Sequence, residues 1–291
     1  MLLICILAPS LAAAAAGDTS LEDVLARGEL RHLGIPYANF VTGDGTGLEP
    51  EVVRRFAEHL GVRYVFVPSD WATIIPDLVG REVVRDGDRA SLGAPHPRRG
   101  DLIATGMTVL PWRQQVVAFS RPTFPTQIWL IAPVDSPLQP VRPTRDTAAD
   151  IAATRALLDG LEVLTKENTC LDPRLYRLAS TGARIVPFDD QLKFMAPATL
   201  NGLAEATILD VPDALVALHA YPGRIKVIGP ISGQQTMAAA FRTDDEALRR
   251  TYDAFLARIR SDGTYDELVD RFYPAIHDYY PAFFAPEVSA P

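Results

Sequence analysis

Apolar residues recur along the chain with two different periods, which predicts strands and helices that follow one another. Residues 29–35 and 63–68 are rich in β-branched, aromatic or leucine side chains and are predicted to be strands. Between them, residues 49–60 place apolar side chains at helical spacing and end at Gly61. The first part of the chain therefore predicts a strand, a helix and a second strand in succession.

The same alternation resumes after the strongly apolar segment 128–131, which is predicted to be a buried strand. Strands and helices are expected in turn after it, over residues 151–158 (helix), 162–164, 172–178 (helix), 184–186, 206–209, 225–228 and 248–259 (helix). Such alternation favours an α/β class with a mostly parallel sheet between helices. Because 291 residues exceed the usual size of one hydrophobic core, two lobes are expected.

Two stretches lack this pattern. Residues 81–100 are charged, contain Gly and Pro and show no clear period, so they are predicted to form a surface insertion. Residues 273–284 are dense in aromatic side chains and are expected to pack against the body of a lobe, because large exposed apolar patches are uncommon in monomers.

The first residues are typical of an export signal. An apolar run over 2–11 precedes three small residues, Ala14 to Ala16, which predicts a signal peptide over 1–16. A run of this length is too short to cross a bilayer, which needs about 20 residues. Cys5 does not lie at the cleavage site, so no lipid anchor is expected. The sequence predicts a soluble, monomeric protein that is periplasmic or secreted.

Charge and motifs exclude several functions. The formal net charge is −8, and basic residues occur only in short pairs, which argues against nucleic-acid binding. The five histidines are scattered singly, and no phosphate-binding loop, nucleophile elbow or metal-ligand spacing is present. No catalytic residue, metal or cofactor is therefore expected.

The segment 106–113, GMTVLPWR, together with VAFS at 117–120, resembles a hallmark of the amino-acid-type extracellular solute-binding proteins of ABC transporters, known as bacterial solute-binding protein family 3. Asn168 with Thr169, Asp210 and the closing DGTY at 262–265 fall in the same order as similar residues of that family. The resemblance covers nearly the whole chain after the signal peptide.

The resemblance implies a periplasmic-binding-protein fold of two α/β lobes, with two hinge strands and a ligand cleft between the lobes. Residues 17–131 and 232–291 would form lobe one, and residues 132–231 would form lobe two. The hinges would lie near 131–134 and 229–232. The implied function is capture of a small polar solute, an amino acid or a related carboxylate, for a membrane permease of an ABC transporter.

Three residues of the motif have a chemistry suited to a carboxylate. The planar guanidinium of Arg113 matches a carboxylate with two parallel hydrogen bonds. Thr108 adds a hydroxyl and an amide, and Gly106 lets the backbone approach closely. Together they resemble the carboxylate clamp of the family.

The resemblance assigns further ligand contacts to lobe two and to aromatic walls. Backbone amides at Asn168 and Thr169, where the family usually has Gly-Thr, would complete the clamp at a helix that begins near Asp172. Asp210, at the end of a strand, is expected to hold a ligand ammonium. Aromatic walls are expected from three side chains: Trp71, Tyr37 and Phe40.

Two alternatives use the same scaffold. One is an enzyme similar to cyclohexadienyl dehydratase, with Glu167 or Glu205 as general acid. The other is a periplasmic partner or sensor protein that does not transport, which a cleft filled by its own side chains would support.

Overall fold

A computed structural model describes residues 21–285, so the predicted signal peptide lies outside the described residues. The strands are β1 (Glu29–Gly34), β2 (Arg63–Pro68), β3 (Arg81–Asp86), β4 (Arg89–Pro95), β5 (Leu102–Ile103), β6 (Ala118–Phe119), β7 (Phe124–Thr126), β8 (Ile128–Pro133), β9 (Glu162–Thr165), β10 (Arg184–Pro187), β11 (Ala206–Asp210), β12 (Ile225–Pro230), β13 (Gln235–Met237) and β14 (Ala240–Phe241). The helices are α1 (Leu21–Arg27), α2 (Leu48–Leu60), α3 (Ile74–Val79), α4 (Thr147–Arg155), α5 (Met195–Leu200), α6 (Val211–Ala220), α7 (Glu246–Ser261), α8 (Thr264–Phe272), α9 (Ile276–Tyr279) and α10 (Pro281–Phe284).

The first sheet has the order β2-β1-β5-β14-β6. Strand β1 runs parallel to β2 and β5, while β14 runs antiparallel to β5 and β6. Helix α2 begins after Gly47 and ends at Gly61, whose left-handed φ of 71° closes the helix. The predicted succession of strand, helix and strand at the start of the chain is confirmed.

The second sheet has the order β10-β9-β11-β8-β12. The strands β9, β10 and β11 are parallel, but β8 runs antiparallel to β11 and β12. Every residue of β11 is buried, as is nearly all of β8, because both strands lie in the interior of the sheet. The predicted α/β class is confirmed.

The chain passes between the two sheets twice. It leaves the first sheet after β6 and enters the second at β8, and it returns between β12 and β14. The intervening strands β7 and β13 pair with each other antiparallel. The hinge strands predicted near 131–134 and 229–232 coincide with the ends of β8 and β12, and their role as hinges stays a prediction. The lobe limits stay a prediction.

The predicted surface insertion contains regular structure, and one predicted helix is wrong. Residues 81–95 form the antiparallel hairpin β3–β4. Most of its side chains are exposed, so the sequence carries no alternation of apolar and polar positions. The helix predicted over 172–178 is wrong, since Asp172 to Arg177 form turns that lead into a 3-10 turn at Leu178–Thr181.

The aromatic segment over residues 273–284 packs against β7 and β8. The Tyr273 ring lies 4.9 Å from that of Phe124, and the Tyr279 ring lies 5.4 Å from that of Trp129. Among residues 21–285, every helix is too short or too polar to cross a lipid bilayer.

Candidate functional site

Arg113 is a buried cation without a counter-ion. Arg113 is the first residue of a short 3-10 turn that follows Trp112, and it is 2 % exposed. One guanidinium nitrogen, Nη1, donates to the carbonyl of Thr108 at 2.9 Å, and the plane lies between the rings of Trp71 and Trp112, 5.6 and 5.3 Å from their centroids. Within residues 21–285, its Nε has no acceptor and no carboxylate lies within 4 Å. Burial lowers the pKa of Arg113 to about 10.

The loop before Arg113 is shaped by a glycine and a buried acid. Gly106 has a φ of +65°, and a Cβ atom there would lie 2.3 Å from the Phe40 ring. Glu49 is buried, and burial raises its pKa to about 7, although the Gly106 backbone and the Thr123 side chain act in the opposite direction. Thr108 forms an antiparallel bridge with Met237, and its buried hydroxyl has no partner among the described residues.

Asp210 is a buried acid whose oxygens are already in use. It ends β11 and caps α6, where Oδ1 accepts from the Asp213 amide at 3.2 Å. Its Oδ2 accepts from the Tyr37 hydroxyl and from the Cys170 thiol, the latter at 3.3 Å. Burial raises the pKa of both Asp210 and Asp213.

Asn168 and Thr169 make local contacts. Asn168 is exposed and adopts a left-handed φ of 61°, which Asn tolerates better than most residues, and its amide donates to Asp172. The Thr169 hydroxyl donates to the Lys166 carbonyl at 2.8 Å and accepts from the Leu171 amide at 3.0 Å. Because no helix begins at Asp172, the expected helix entrance is absent from this loop.

A cavity of about 780 Å³ lies near these residues, although Gly106, Thr108, Arg113 and Asp210 do not line it. Trp71 and Trp112 line it from one side, and Asn168 and Thr169 line it from the other. Four exposed carboxylates also line it: Asp70, Glu167, Asp189 and Asp190. A smaller cavity of about 270 Å³ is lined by Tyr37 and Asp213 together with mainly apolar residues. Residues 21–285 contain no cluster of His, Cys, Asp or Glu side chains suited to a metal ion.

The three aromatic residues expected as ligand walls have different positions. Trp71 lines the larger cavity. The Tyr37 ring stacks on Phe40 and meets Trp71 edge to face, with both pairs of centroids 5.8 Å apart. Phe40 is fully buried against Phe124 and Tyr273, so it belongs to the core and lines neither cavity.

The hairpin β3–β4 supplies a contact that sequence reasoning missed. Arg85 of β3 forms an ion pair of 3.2 Å with Asp172, which lies between β9 and β10 of the second sheet. Its guanidinium also lies 4.8 Å from the Trp112 ring centroid. Neither residue belongs to a motif, and only the juxtaposition of the two sheets brings them together.

The profile of the family described as bacterial extracellular solute-binding proteins, family 3, matches residues 89–275. The match covers more than half of the 291 residues, so the chain belongs to this family. The predicted family is thereby confirmed.

Curated relatives are of two kinds. An amino-acid-binding protein, AabA, of Dichelobacter nodosus is 25% identical over 80% of this chain and 81% of its own length. Two proteins named membrane-bound lytic murein transglycosylase F, from Desulfosudis oleivorans and Ectopseudomonas mendocina, are 26% and 28% identical over 80% and 87% of this chain. This chain spans 45% and 47% of their lengths, which is about half.

Solved structures agree on the fold. A mutant of ArgBP from T. maritima superposes with a TM-score of 0.68 at 23% identity, over 87% of this chain and 99% of that chain. An ancestral amino-acid-binding protein, described as a precursor of cyclohexadienyl dehydratase, gives 0.67 at 22% identity over 87% and 98%. Tv2483 bound to L-arginine gives 0.69 at 17% identity, over 88% and 95%. These likenesses establish the two-lobe periplasmic-binding-protein fold.

Proposed function

We propose that the protein captures a small solute with a carboxylate, an amino acid or a related compound, in the cleft between its lobes. The observation that carries this proposal is the unpaired guanidinium of Arg113, buried between two indoles. A charge removed from water costs several kcal/mol unless it is paired, so a buried cation without a counter-ion is suited to a ligand that brings one.

The groups around Arg113 support an anionic ligand. Three buried hydrogen-bond donors have no partner among residues 21–285: Arg113 Nε, the Thr108 hydroxyl and Trp112 Nε1. A carboxylate supplies up to four acceptor positions in one plane, which suits a cluster of donors. Because Trp71 and Trp112 both flank Arg113 and line the larger cavity, opening the cleft would expose the guanidinium to an entering solute.

The wider role follows the family. We place the protein in the periplasm or outside the cell, as a monomer that delivers its solute to the permease of an ABC transporter. The family description as extracellular solute-binding proteins supports this role, as does the amino-acid-binding relative from Dichelobacter nodosus. Residues 17–131 with 232–291 and residues 132–231 are the proposed lobes.

The experiment is calorimetric titration of amino acids, 2-oxo acids and small dicarboxylates into wild type, Arg113→Ala and Arg113→Lys. Arg113→Ala is expected to lose about 2–5 kcal/mol of binding free energy, which removes measurable binding. Arg113→Lys should also bind weakly, because an ammonium lacks the planar fork. Arg184→Ala, an exposed arginine of β10, is the matched control. Unchanged affinity in Arg113→Ala would remove this residue from the site.

A second candidate is a sensor or regulatory binding module. Tyr37 and Cys170 donate hydrogen bonds to Asp210, as expected of a cleft that is filled by the protein's own side chains. The murein transglycosylases of which this chain spans about half favour a module within a larger protein. Deletion of the gene should then leave solute uptake unchanged, whereas a transport protein requires uptake to fall.

The dehydratase-like alternative has weaker support. Glu167 lines the larger cavity, but its side chain is 58 % exposed. Glu205 lines neither cavity, and its carboxylate accepts a hydrogen bond from the Glu162 backbone amide at the start of β9. Recovery of a bound solute in unaltered form after prolonged incubation would exclude this activity for that solute.

A further inference from the structure

The acid expected to hold a ligand ammonium is satisfied by the protein itself. Asp210 is fully buried, and the chain supplies three hydrogen bonds to its carboxylate. The oxygen that does not cap α6, Oδ2, accepts from both Tyr37 and Cys170. An ammonium that enters next to this oxygen must therefore displace one of these donors or go without an acceptor.

Tyr37 is held rigidly in its position. Its amide and carbonyl pair with Val41 in a tight turn, and the Phe40 amide also donates to its carbonyl. The ring is clamped between a stacked Phe40 and the edge-to-face Trp71. Because the backbone is hydrogen-bonded and the ring is buried against Phe40 and Trp71, the hydroxyl leaves Asp210 when the proposed lobes separate and not by rotation of the side chain alone.

Cys170 lies between the two halves of the site. Its thiol donates to Asp210 Oδ2 at 3.3 Å, and the charge of Arg113 acts on the thiol. The Tyr176 hydroxyl holds the Cys170 carbonyl at 2.6 Å, which fixes the loop. The buried thiol thus occupies the space next to Asp210 Oδ2.

The remaining acidic oxygens do not replace Asp210. Asp213 Oδ2 is buried without a partner, but Asp213 lines the smaller cavity with Tyr37 and does not line the larger one. The carboxylates of the larger cavity, such as Asp189 and Asp190, are exposed on its rim. These exposed carboxylates suit a positive group that is distant from the ligand carboxylate. The groups without partners beside Arg113 are hydrogen-bond donors, so they offer an ammonium no acceptor.

We propose that Tyr37 and Cys170 make the site select carboxylates that carry no free ammonium on the adjacent carbon, such as 2-oxo acids, deaminated acids and N-acylated amino acids. The proposal rests on the proposed function, because it takes Arg113 as the carboxylate anchor. The raised pKa of Asp210, caused by burial, acts in the same direction because it weakens the charge that would attract an ammonium.

The test uses ligand pairs that differ only at the carbon beside the carboxylate. Calorimetry compares 2-oxoglutarate with L-glutamate, 4-methyl-2-oxopentanoate with L-leucine, and 6-aminohexanoate with L-lysine. In the wild type, at least one pair should bind, and the member without the α-ammonium should bind at least about tenfold more tightly, a difference of 1.4 kcal/mol.

Two single-group variants ask whether the proposed residues cause that preference. Tyr37→Phe keeps the ring and removes the hydroxyl, and Cys170→Ala removes the thiol; each should reduce the preference, and their combination should abolish it. Tyr265→Phe removes another buried tyrosine hydroxyl, which donates to the Thr123 carbonyl, and should leave the preference unchanged. Cys170→Ser, which retains a donor, keeps the test valid if the alanine variant fails to fold.

Each outcome decides one of the two ideas. A wild-type protein that binds the α-amino acid as tightly as its partner overturns this inference and leaves the proposed function intact. A preference that persists in all the variants shows that residues other than Tyr37 and Cys170 cause it, and this result also overturns the inference. Failure of every carboxylate to bind overturns the proposed function, and this inference with it.

Discussion

Arg113 and Asp210 are both buried and both were expected from the sequence to anchor one solute, yet their surroundings are opposite. Arg113 has one carbonyl acceptor and two indole faces, and no ion pair within residues 21–285. Asp210 has three protein donors and lies at the amino end of α6. Arg113 lacks a counter-ion, which a ligand can supply. Asp210 already has its partners within the protein.

The difference shows that burial of a charge does not by itself distinguish a group that a ligand can satisfy from one that the fold already satisfies. Burial alone raises or lowers a pKa in either place, so exposure does not distinguish the two residues. Hydrogen-bond satisfaction does, because a buried donor that is left without a partner costs about 1–3 kcal/mol.

The largest effect should come from changing the two residues in the unliganded protein. Arg113→Met keeps the apolar volume between the indoles and removes an unpaired buried charge, so it should raise the free energy of unfolding by about 1–4 kcal/mol. Asp210→Ala removes a helix cap and leaves Tyr37 without its acceptor, so it should lower that free energy by about 3 kcal/mol. Urea unfolding at neutral pH measures both.

The signs of these two changes matter more than their sizes. A loss of stability in Arg113→Met would mean that the guanidinium is satisfied within the protein, and the contrast with Asp210 would disappear. Arg63→Met, on the exposed edge strand β2, controls for the loss of an arginine whose side chain is 70 % exposed.

Glu49 extends the comparison to a buried acid whose pKa is raised into the neutral range by burial. Burial raises its pKa to about 7, above the ordinary 4.5, so the folded protein binds the proton more tightly than the unfolded chain does. The stability from this group is complete below about pH 4.5 and is lost as the pH rises through 7. Glu49→Gln should remove this pH-dependent loss in the free energy of unfolding, which is on the order of 3 kcal/mol between low pH and pH 8.

Unfolding curves at pH 5 and pH 8 measure this change. Glu58→Gln, exposed on the same helix, is the matched control and should keep the pH dependence of the wild type. An identical pH dependence in Glu49→Gln would show that the carboxyl is already ionised when the protein folds.

The smallest effect concerns the ion pair between β3 and the connection from β9 to β10, which joins the two sheets. The ion pair of Arg85 with Asp172 is largely buried, and its loss in Arg85→Ala should favour the open cleft by about 1 kcal/mol, roughly a fivefold shift. Solution scattering should show a larger radius of gyration for Arg85→Ala than for Arg89→Ala at the exposed turn of the hairpin. Equal radii would exclude a role for Arg85 in closure.

The order of strands and helices could be predicted because apolar periods follow the buried face of each element. The hairpin β3–β4 could not, since it buries neither face fully and its charged side chains carry no period. The false helix over 172–178 has apolar residues at helical spacing, but the Asp172 side chain binds Arg85 and Arg174 instead of a helix end.

The site was predictable only in part for a related reason. Arg113 and Asp210 belong to motifs, so their types and order are visible in the sequence. The donors that satisfy Asp210 lie 173 and 40 residues away along the chain, and only the fold brings Tyr37 and Cys170 to it. A motif shows which groups are present, but hydrogen-bond satisfaction depends on distant residues that the motif does not contain.

Cys170 gives the cleft a chemical reporter of its own. It is the only cysteine after residue 5 and is 4 % exposed, and burial raises the pKa of its thiol well above the ordinary value. A thiol reagent in solution can react with it only when the structure around it opens, so we expect the labelling rate to report separation of the lobes. A compound that holds the lobes together slows this reaction, and candidate solutes can be ranked by that protection without any added probe.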